Sequence, residues 1–227
     1  MILKHWKVFF LLLFSTLATT FISCQPNNNL VLDNIKNEKE LLSKLELPEQ
    51  TIIVKKTTRL QVSYSYLFKI KSNYDGDTFK DIFDNKIRLF GVDTPEIEPK
   101  NNTRFINIKR ANYYARKAKE FSANLLQKWS NLAYATIVEK DPYDRYVAKV
   151  RIQKQDLASE LLKNGLAVLR YFQVNKPKKK YYYPNHKELY TDYKNLQNEA
   201  KDKKINVWSE NTKSIYGINL QYISKKH

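Results

Sequence analysis

One stretch of the chain, residues 75–96, limits the possible folds more than any other. It reads DGDTFKDIFDNKIRLFGVDTPE. Two short runs rich in apolar and β-forming residues, 78–83 and 86–92, flank the pair Asp84-Asn85. Asp and Asn tolerate the backbone angles of tight turns, so the pattern predicts two antiparallel strands joined by a hairpin turn.

Apolar periodicity on either side of this stretch predicts the remaining elements. Alternation indicates a strand from about residue 60, and spacings of three and four indicate a helix over residues 110–129. The same patterns then predict two strands, 133–139 and 146–152, and two helices, 156–165 and 185–203, the first with Asp156 as its N-cap and Gly165 as its C-terminal stop. Three strands, a helix, two strands and two helices are the order of an OB-type fold, a five-stranded β-barrel capped by three helices.

Side chains suited to ion chemistry lie near the ends of the two hairpin strands. Asp77, Asp93 and Glu96 offer oxygen ligands, which hard cations such as Ca²⁺ and Mg²⁺ take. Arg88 has a planar fork that can bind two phosphate oxygens. Because Arg88 and Asp93 are five positions apart, an unbroken strand would point them to opposite faces. Both reach one site only if the strand ends or bulges near Gly91.

This stretch resembles the signature of the thermonuclease (staphylococcal nuclease) family. That signature is a DGDT turn followed by an R-x-x-x-V-D-T-P-E strand end, and residues 75–96 hold both halves. The resemblance covers about residues 60–210. It implies the OB-type barrel and a Ca²⁺-dependent nuclease that cleaves DNA and RNA.

The resemblance also implies roles for the acidic residues. By position, Asp77 and Asp93 would bind the metal through their carboxylates, and Thr94 would add its main-chain carbonyl. Glu96 would act as general base or orient the attacking water. Asp75 is expected to support Asp77 from outside the ligand set, although an Asp in a turn can instead bind only the local backbone.

Two arginines and two tyrosines complete the implied site. Arg88 and Arg145 match the family arginines that stabilise charge on the phosphate. Tyr143 and Tyr171 match tyrosines that pack near the nucleotide, although either could instead be half-buried at the barrel rim. Arg145 lies in DPYDRY, where the family has D-x-Y-G-R, so Asp144 replaces a glycine.

A further family tyrosine is replaced here by Gln173. Phe172 or the insertion at residues 176–183, KPKKKYYY, could compensate for it. The insertion interleaves cations and rings, a combination that suits single-stranded nucleic acid. The alternative is a solvated loop without function.

The charge of the chain favours polyanionic partners. The net charge is +17, which suits nucleic acid or an anionic membrane surface, although it can also serve solubility alone. With three histidines, of which His5 and His227 lie near the termini, a two-histidine nuclease mechanism lacks its parts. One cysteine excludes an intrachain disulfide and a Cys/His zinc set.

The N-terminus predicts export. Two lysines precede a short apolar run that ends in Ser23-Cys24 and resembles a bacterial lipobox, in which the cysteine becomes lipid-modified. The alternatives are an ordinary signal peptide with a chance cysteine, or an uncleaved anchor. We expect a protein anchored by lipid to the extracellular face of the cell membrane, or secreted.

Four segments follow from these patterns: a signal peptide (1–23), a polar tether (24–59), a thermonuclease-like OB-fold domain (60–210) and a basic tail (211–227). The predicted function is a monomeric, surface-anchored or secreted Ca²⁺-dependent nuclease with DNA and RNA as substrates. The alternatives are a non-catalytic nucleic-acid-binding surface lipoprotein and a membrane adhesin. Neither alternative explains the intact set of carboxylates and arginines.

Overall fold

A computed structural model describes Glu40, Ser43 and residues 50–99 and 105–217. The described residues from 50 onward belong to one compact unit, residues 44–227. The predicted signal peptide, Cys24 and most of the predicted tether lie outside the described residues. Within the described part of the chain, no helix combines the length and the apolar character needed to cross a membrane.

Nine β-strands and four α-helices form the described structure. The strands are β1 (Ile52–Ile53), β2 (Ser65–Asn73), β3 (Thr78–Asp81), β4 (Lys86–Leu89), β5 (Val92–Asp93), β6 (Leu132–Lys140), β7 (Tyr146–Ile152), β8 (Gln155–Asp156) and β9 (Val168–Leu169). The helices are α1 (Ile108–Gln127), α2 (Leu157–Lys163), α3 (Lys187–Asp202) and α4 (Thr212–Tyr216). Short 3₁₀ turns lie at Pro184–His186 and Asn206–Ser209.

Five of these strands close a barrel. β2 pairs antiparallel with β3, and β3 with β4. β4 then runs parallel to β7, β7 pairs antiparallel with β6, and β6 returns to β2. Closure removes the free sheet edges, which would otherwise invite pairing with other chains. The predicted OB-type barrel is therefore confirmed.

The interior of the barrel is filled by side chains. Phe68, Ile70, Phe79, Ile87 and Val150 point into it and are all buried. Burial of these large apolar groups drives closure at about 25 cal/mol per Å² of surface removed from water. Because the interior is occupied, a functional site on this barrel has to lie at its rim.

Helix α1 holds one rim of the barrel in place. Its alanines, among them Ala118, lie on the buried face and let the helix approach the DGDT turn closely. A Cβ atom on Gly76 would lie 2.7 Å from the Cβ of Ala118, so this turn requires glycine for steric reasons. The hydroxyl of Ser122 donates a hydrogen bond of 2.8 Å to the Gly76 carbonyl. The helix therefore fixes the position of the turn that carries Asp77.

Helix α2 begins and ends where the sequence predicted. The Asp156 side chain caps it by accepting the Ser159 N–H at 2.7 Å, and Tyr193 donates a second hydrogen bond to the same oxygen at 3.0 Å. Gly165 follows its last turn with φ of +59°, a conformation that glycine adopts without steric cost.

The structure differs from the prediction at both ends of the domain. Strand β1 pairs parallel with β2 and Val54 is buried in the core, within the segment predicted as tether. Helix α4 buries Thr212 and Ile215 in the segment predicted as basic tail. It makes a fourth described helix where three were predicted. A two-residue strand and a five-residue helix are too short to show periodicity, which is why both were missed.

A substitution at Gly165 tests the junction between α2 and the 3₁₀ turn after α3. A Cβ atom there would lie 2.3 Å from the Ile205 carbonyl oxygen, in addition to the strain of positive φ. We expect Gly165→Ala to lower the free energy of unfolding by roughly 1–3 kcal/mol. Lys163→Ala, at an exposed position in the same helix, serves as control and should change it by less than about 0.5 kcal/mol. Equal stability of the two variants in urea titrations would contradict this packing.

Candidate active site

The DGDT turn is built around Asp75. Its Oδ1 accepts the N–H groups of Asp77 at 3.1 Å and Thr78 at 2.8 Å. The Thr94 hydroxyl accepts a hydrogen bond from the Gly76 N–H at 3.4 Å and so holds the turn next to the end of β5. Asp75 thus binds the local backbone, and through that backbone it sets the direction of Asp77.

The extended strand is interrupted between β4 and β5, as the spacing of Arg88 and Asp93 required. Gly91 lies between the two strands with φ of +78°. A Cβ atom at this position would lie 2.7 Å from the Phe172 ring. The turn reverses the expected facing of the side chains, so the Arg88 Nη2 and Asp93 Oδ1 atoms are 2.8 Å apart.

Arg88 is the centre of the site. Its Nη2 lies 3.1 Å from Asp77 Oδ2 as well as 2.8 Å from Asp93 Oδ1. Its Nη1 donates to the carbonyls of Leu89 at 3.0 Å and Val92 at 2.8 Å. Burial opposes the charge of Arg88, but the two carboxylates outweigh that effect and raise its pKa. The guanidinium is therefore fixed in orientation and permanently charged.

Asp77 and Thr94 meet across the same rim. The Thr94 N–H donates to Asp77 Oδ2 at 2.6 Å, and the Thr78 hydroxyl donates to Asp77 Oδ1 at 3.0 Å. The side chains of Asp77, Thr78 and Thr94 are all buried. Two of the predicted metal ligands thus touch directly, although the contact uses the Thr94 N–H and not its carbonyl.

Glu96 and Arg145 are less buried than this group. Glu96 is exposed, but partial desolvation of its carboxyl raises its pKa, with contributions from Asp77 and Asp93. Arg88 and Arg145 oppose the shift. Glu96 is therefore within electrostatic reach of both carboxylates and both arginines. Direct contacts join Arg88 to Asp77 and Asp93, whereas Glu96 and Arg145 are linked to this group by electrostatic influence alone.

Burial and the proximity of carboxylates raise pKa values in the cluster. Burial and then the neighbouring Asp77 raise the pKa of Asp75 to about 7. Burial also raises the pKa of Asp93, and Asp77 adds to the rise against the opposing effect of Arg88. Carboxylates that destabilise one another in this way gain from an added positive charge.

The donor chemistry of the site fits a hard cation. Asp77, Asp93 and the Thr94 carbonyl are oxygen donors, as Ca²⁺ requires. The described residues nevertheless contain no group of three His, Cys, Asp or Glu side chains arranged around a common point. Arg88 lies between the two carboxylates instead, so a bound cation would have to share them with this guanidinium.

Tyr143 and Tyr171 both lie beside arginines. The Arg145 guanidinium lies 5.4 Å from the Tyr143 ring centre, and Tyr143 is 74% exposed. Tyr171 is 40% exposed and close enough to Asp93 for that carboxylate to raise its pKa, after the larger effect of burial. Asp144, which replaces the family glycine, adopts φ of 62°, in the left-handed region that glycine favours, directly before Arg145.

Two residues of the site were missed by sequence reasoning. Arg170 Nη1 lies 2.7 Å from Asp93 Oδ2, so both oxygens of Asp93 face a guanidinium. The hydroxyl of Tyr216, from helix α4, donates to the Asp93 carbonyl at 3.4 Å. Arg170 directly precedes Tyr171, a position that could have drawn attention to it. Tyr216 lay in the predicted tail and gave no signal.

A closed barrel whose rim holds buried carboxylates bridged by an arginine defines an OB-type fold with a charged site whose guanidinium suits phosphate. Residues 86–210, more than half of the chain, match the family model for staphylococcal nuclease homologues. The chain therefore belongs to the staphylococcal nuclease family, a family of nucleases.

Individual relatives agree with this assignment. The thermonuclease of Staphylococcus hyicus is 29% identical over 157 residues, which are 68% of this chain and 82% of that protein. The thermonuclease of Staphylococcus intermedius is 33% identical over 147 residues, 63% of this chain and 76% of that protein. Endonuclease YncB of Bacillus subtilis is 30% identical over 141 residues, 60% of this chain and 58% of that protein.

Replacement of Arg170 tests whether it contributes to the site. We expect Arg170→Ala to lower the free energy of unfolding by about 1 kcal/mol, because a charge-assisted hydrogen bond to a buried carboxylate is lost at a partly exposed position. Arg170→Lys keeps the charge and should recover part of the loss. Arg116→Ala, at an exposed position on α1, is the control. If urea titrations give Arg170→Ala the stability of the control, the contact with Asp93 is not stabilising.

Proposed function

We propose that this protein is a Ca²⁺-dependent nuclease that hydrolyses phosphodiester bonds of DNA and RNA. The observation that carries the proposal is the contact of Arg88 with both Asp77 and Asp93 at one rim of the barrel, in a chain of a nuclease family. A structural turn does not need three acids and an arginine around one hairpin.

The exposure of each residue indicates its role in the proposed reaction. Glu96 is exposed and has a raised pKa, so it is suited to accept a proton from an attacking water. Arg145 is held to Asp141 through its Nε at 2.8 Å, so the tip of its guanidinium can meet a phosphate. There it stabilises the negative charge that develops on the phosphate oxygens.

Arg88 has a different part in the same site. Its 7% exposure and its bonds to Asp77 and Asp93 make it the fixed positive charge next to the phosphate position. Asp77, Asp93 and the Thr94 carbonyl would hold Ca²⁺. Bound there, the ion would polarise the phosphodiester and lower the pKa of a nearby water.

Cleavage assays on the purified chain test the proposal. We expect hydrolysis of DNA and RNA in Ca²⁺, less in Mg²⁺ because that ion demands stricter octahedral geometry, and none in EDTA. Glu96→Gln and Arg145→Ala should each lower kcat by ~100-fold or more, on the scale of a lost general base or a lost donor. Lys163→Ala, at an exposed position on α2, should leave kcat unchanged.

The outcomes separate the alternatives. Full activity in EDTA would exclude metal dependence. Near wild-type turnover of Glu96→Gln or Arg145→Ala would remove the role assigned to that residue. Tight binding of nucleic acid without cleavage under all three conditions would support a non-catalytic binding protein.

We also propose that the protein is exported and anchored by lipid at Cys24, with the residues between Cys24 and β1 as a tether. The support is the apolar run that ends in Ser23-Cys24 in a chain with no other cysteine. A lipid-modified protein should partition into the detergent phase, and Cys24→Ser should release it or block its processing. Mass spectrometry of the mature surface protein is decisive, since an unmodified Cys24 would refute the anchor.

A further inference from the structure

The Asp93 carboxylate is held between two arginines that differ in burial. Arg88 Nη2 lies 2.8 Å from Asp93 Oδ1, and Arg170 Nη1 lies 2.7 Å from Asp93 Oδ2. The Arg88 side chain is 9% exposed, whereas that of Arg170 is 32% exposed. Both oxygens of a predicted cation ligand therefore have a positive partner, one of them buried and the other in contact with solvent.

Arg88 is fixed by the rest of the site. Its Nη1 donates to the carbonyls of Leu89 and Val92, and its Nη2 also meets Asp77 Oδ2 at 3.1 Å. Removal of this guanidinium from Asp93 would disturb all of these contacts and leave a buried carboxylate without its partner. A cation that binds at Asp93 thus has to accept Arg88 as a neighbour.

Arg170 is held differently, by its backbone more than by its side chain. Its N–H donates to the Gly91 carbonyl at 3.0 Å, next to the pairing of β5 with β9. Its guanidinium lies 4.9 Å from the centre of the Tyr171 ring, at a part of the surface where that ring is itself exposed. If the side chain left Asp93, it would give up an ion pair at a partly exposed position and regain hydration.

The charge of Arg170 opposes a divalent cation at the same carboxylate. At 2.7 Å its guanidinium makes a charge-assisted hydrogen bond to the oxygen that Arg88 leaves free, and its positive charge would repel an incoming ion. The apparent affinity of a ligand falls in proportion to the fraction of molecules in which its site is available. The contact between Arg170 and Asp93 therefore weakens cation binding even though it stabilises the fold.

Resting on the Ca²⁺ dependence proposed above, we propose that Arg170 competes with the cation for Asp93 and so sets the Ca²⁺ concentration at which the site fills. Arg170 leaves Asp93 Oδ2 when the ion binds and returns when the ion dissociates. Arg88 stays in place in both states. Arg170 thus acts on the site through Asp93 and determines its affinity for the ion.

Isothermal titration of Ca²⁺ into the full chain, without nucleic acid, tests the proposal. We expect Arg170→Ala to lower the Kd for Ca²⁺ by roughly tenfold, within the usual range of coupling between two ligands of one protein. Arg170→Met, neutral and of similar length, should tighten binding as well, whereas Arg170→Lys should stay within about twofold of the wild type because it keeps the charge. Arg116→Ala, at an exposed position on α1, removes the same charge elsewhere and should leave the Kd unchanged.

Thermal melts separate this role from a structural one. Without Ca²⁺, Arg170→Ala should melt below the wild type, because a stabilising contact is lost. At one saturating Ca²⁺ concentration its Tm should rise by more than that of the wild type, since a ligand stabilises in proportion to the logarithm of its concentration over Kd. Damage to the site would have the opposite sign, a lower Tm together with weaker Ca²⁺ binding.

A second substitution shows whether the ion binds at this site. In the Arg170→Ala chain, a further Asp93→Asn should remove the gain in Ca²⁺ affinity. If a melt shows that this double variant is unfolded, Asp77→Asn in the same background provides the test. A gain that persists without the carboxylate would place the ion elsewhere and overturn the proposal.

Three other results would also overturn it: the same Kd in the wild type and Arg170→Ala, weaker binding by Arg170→Ala, or no response to Ca²⁺ in any chain. Tightening by Arg170→Lys equal to that by Arg170→Met would show that space and not charge matters, which contradicts competition. If Arg170→Ala binds Ca²⁺ more tightly and the wild type cleaves no nucleic acid, competition stands and the nuclease proposal fails. If cleavage depends on Ca²⁺ while both chains have the same Kd, the reverse holds.

Discussion

The ion pairs of Arg88 hold together both the fold and the site. One guanidinium joins Asp77, from the end of a turn, to Asp93, from the strand beyond Gly91, at distances of 3.1 and 2.8 Å. All three side chains are buried, and a buried charge that loses its partner costs about 3–5 kcal/mol. A rearrangement of any one of these residues would therefore take a charged partner away from the others.

The surrounding elements satisfy this requirement in different ways. Gly91 turns the chain so that Asp93 faces Arg88, and helix α1 presses on Gly76 so that Asp77 does the same. Arg170 takes the second oxygen of Asp93. A site stabilised in this way has its charges in place before substrate arrives, and such pre-organisation is what electrostatic catalysis needs.

Local sequence signals predicted the parts of the fold that depend on neighbouring residues. The Asp156 cap, the stop at Gly165 and the break at Gly91 each follow from the preferences of a residue in its own turn. Strand β1, of two residues, and helix α4, of five, are too short for a local pattern to mark them. Among the site residues, Arg88 lies in a motif, whereas Tyr216 reaches Asp93 across 123 positions, a contact that no local pattern marks.

Two positions, Asp144 and Gln173, depart from the family pattern in different ways. Asp144 replaces a glycine and still adopts φ of 62°, since a short polar side chain tolerates the left-handed region better than most. Gln173 replaces a tyrosine, and Tyr181 from the insertion at residues 176–183 brings a ring to the neighbouring Tyr171. In the first case the new residue adopts a backbone conformation that glycine favours. In the second a ring comes from elsewhere in the chain. A sequence motif describes residue types at a fixed spacing, whereas the chemistry of a site depends only on which groups meet in space.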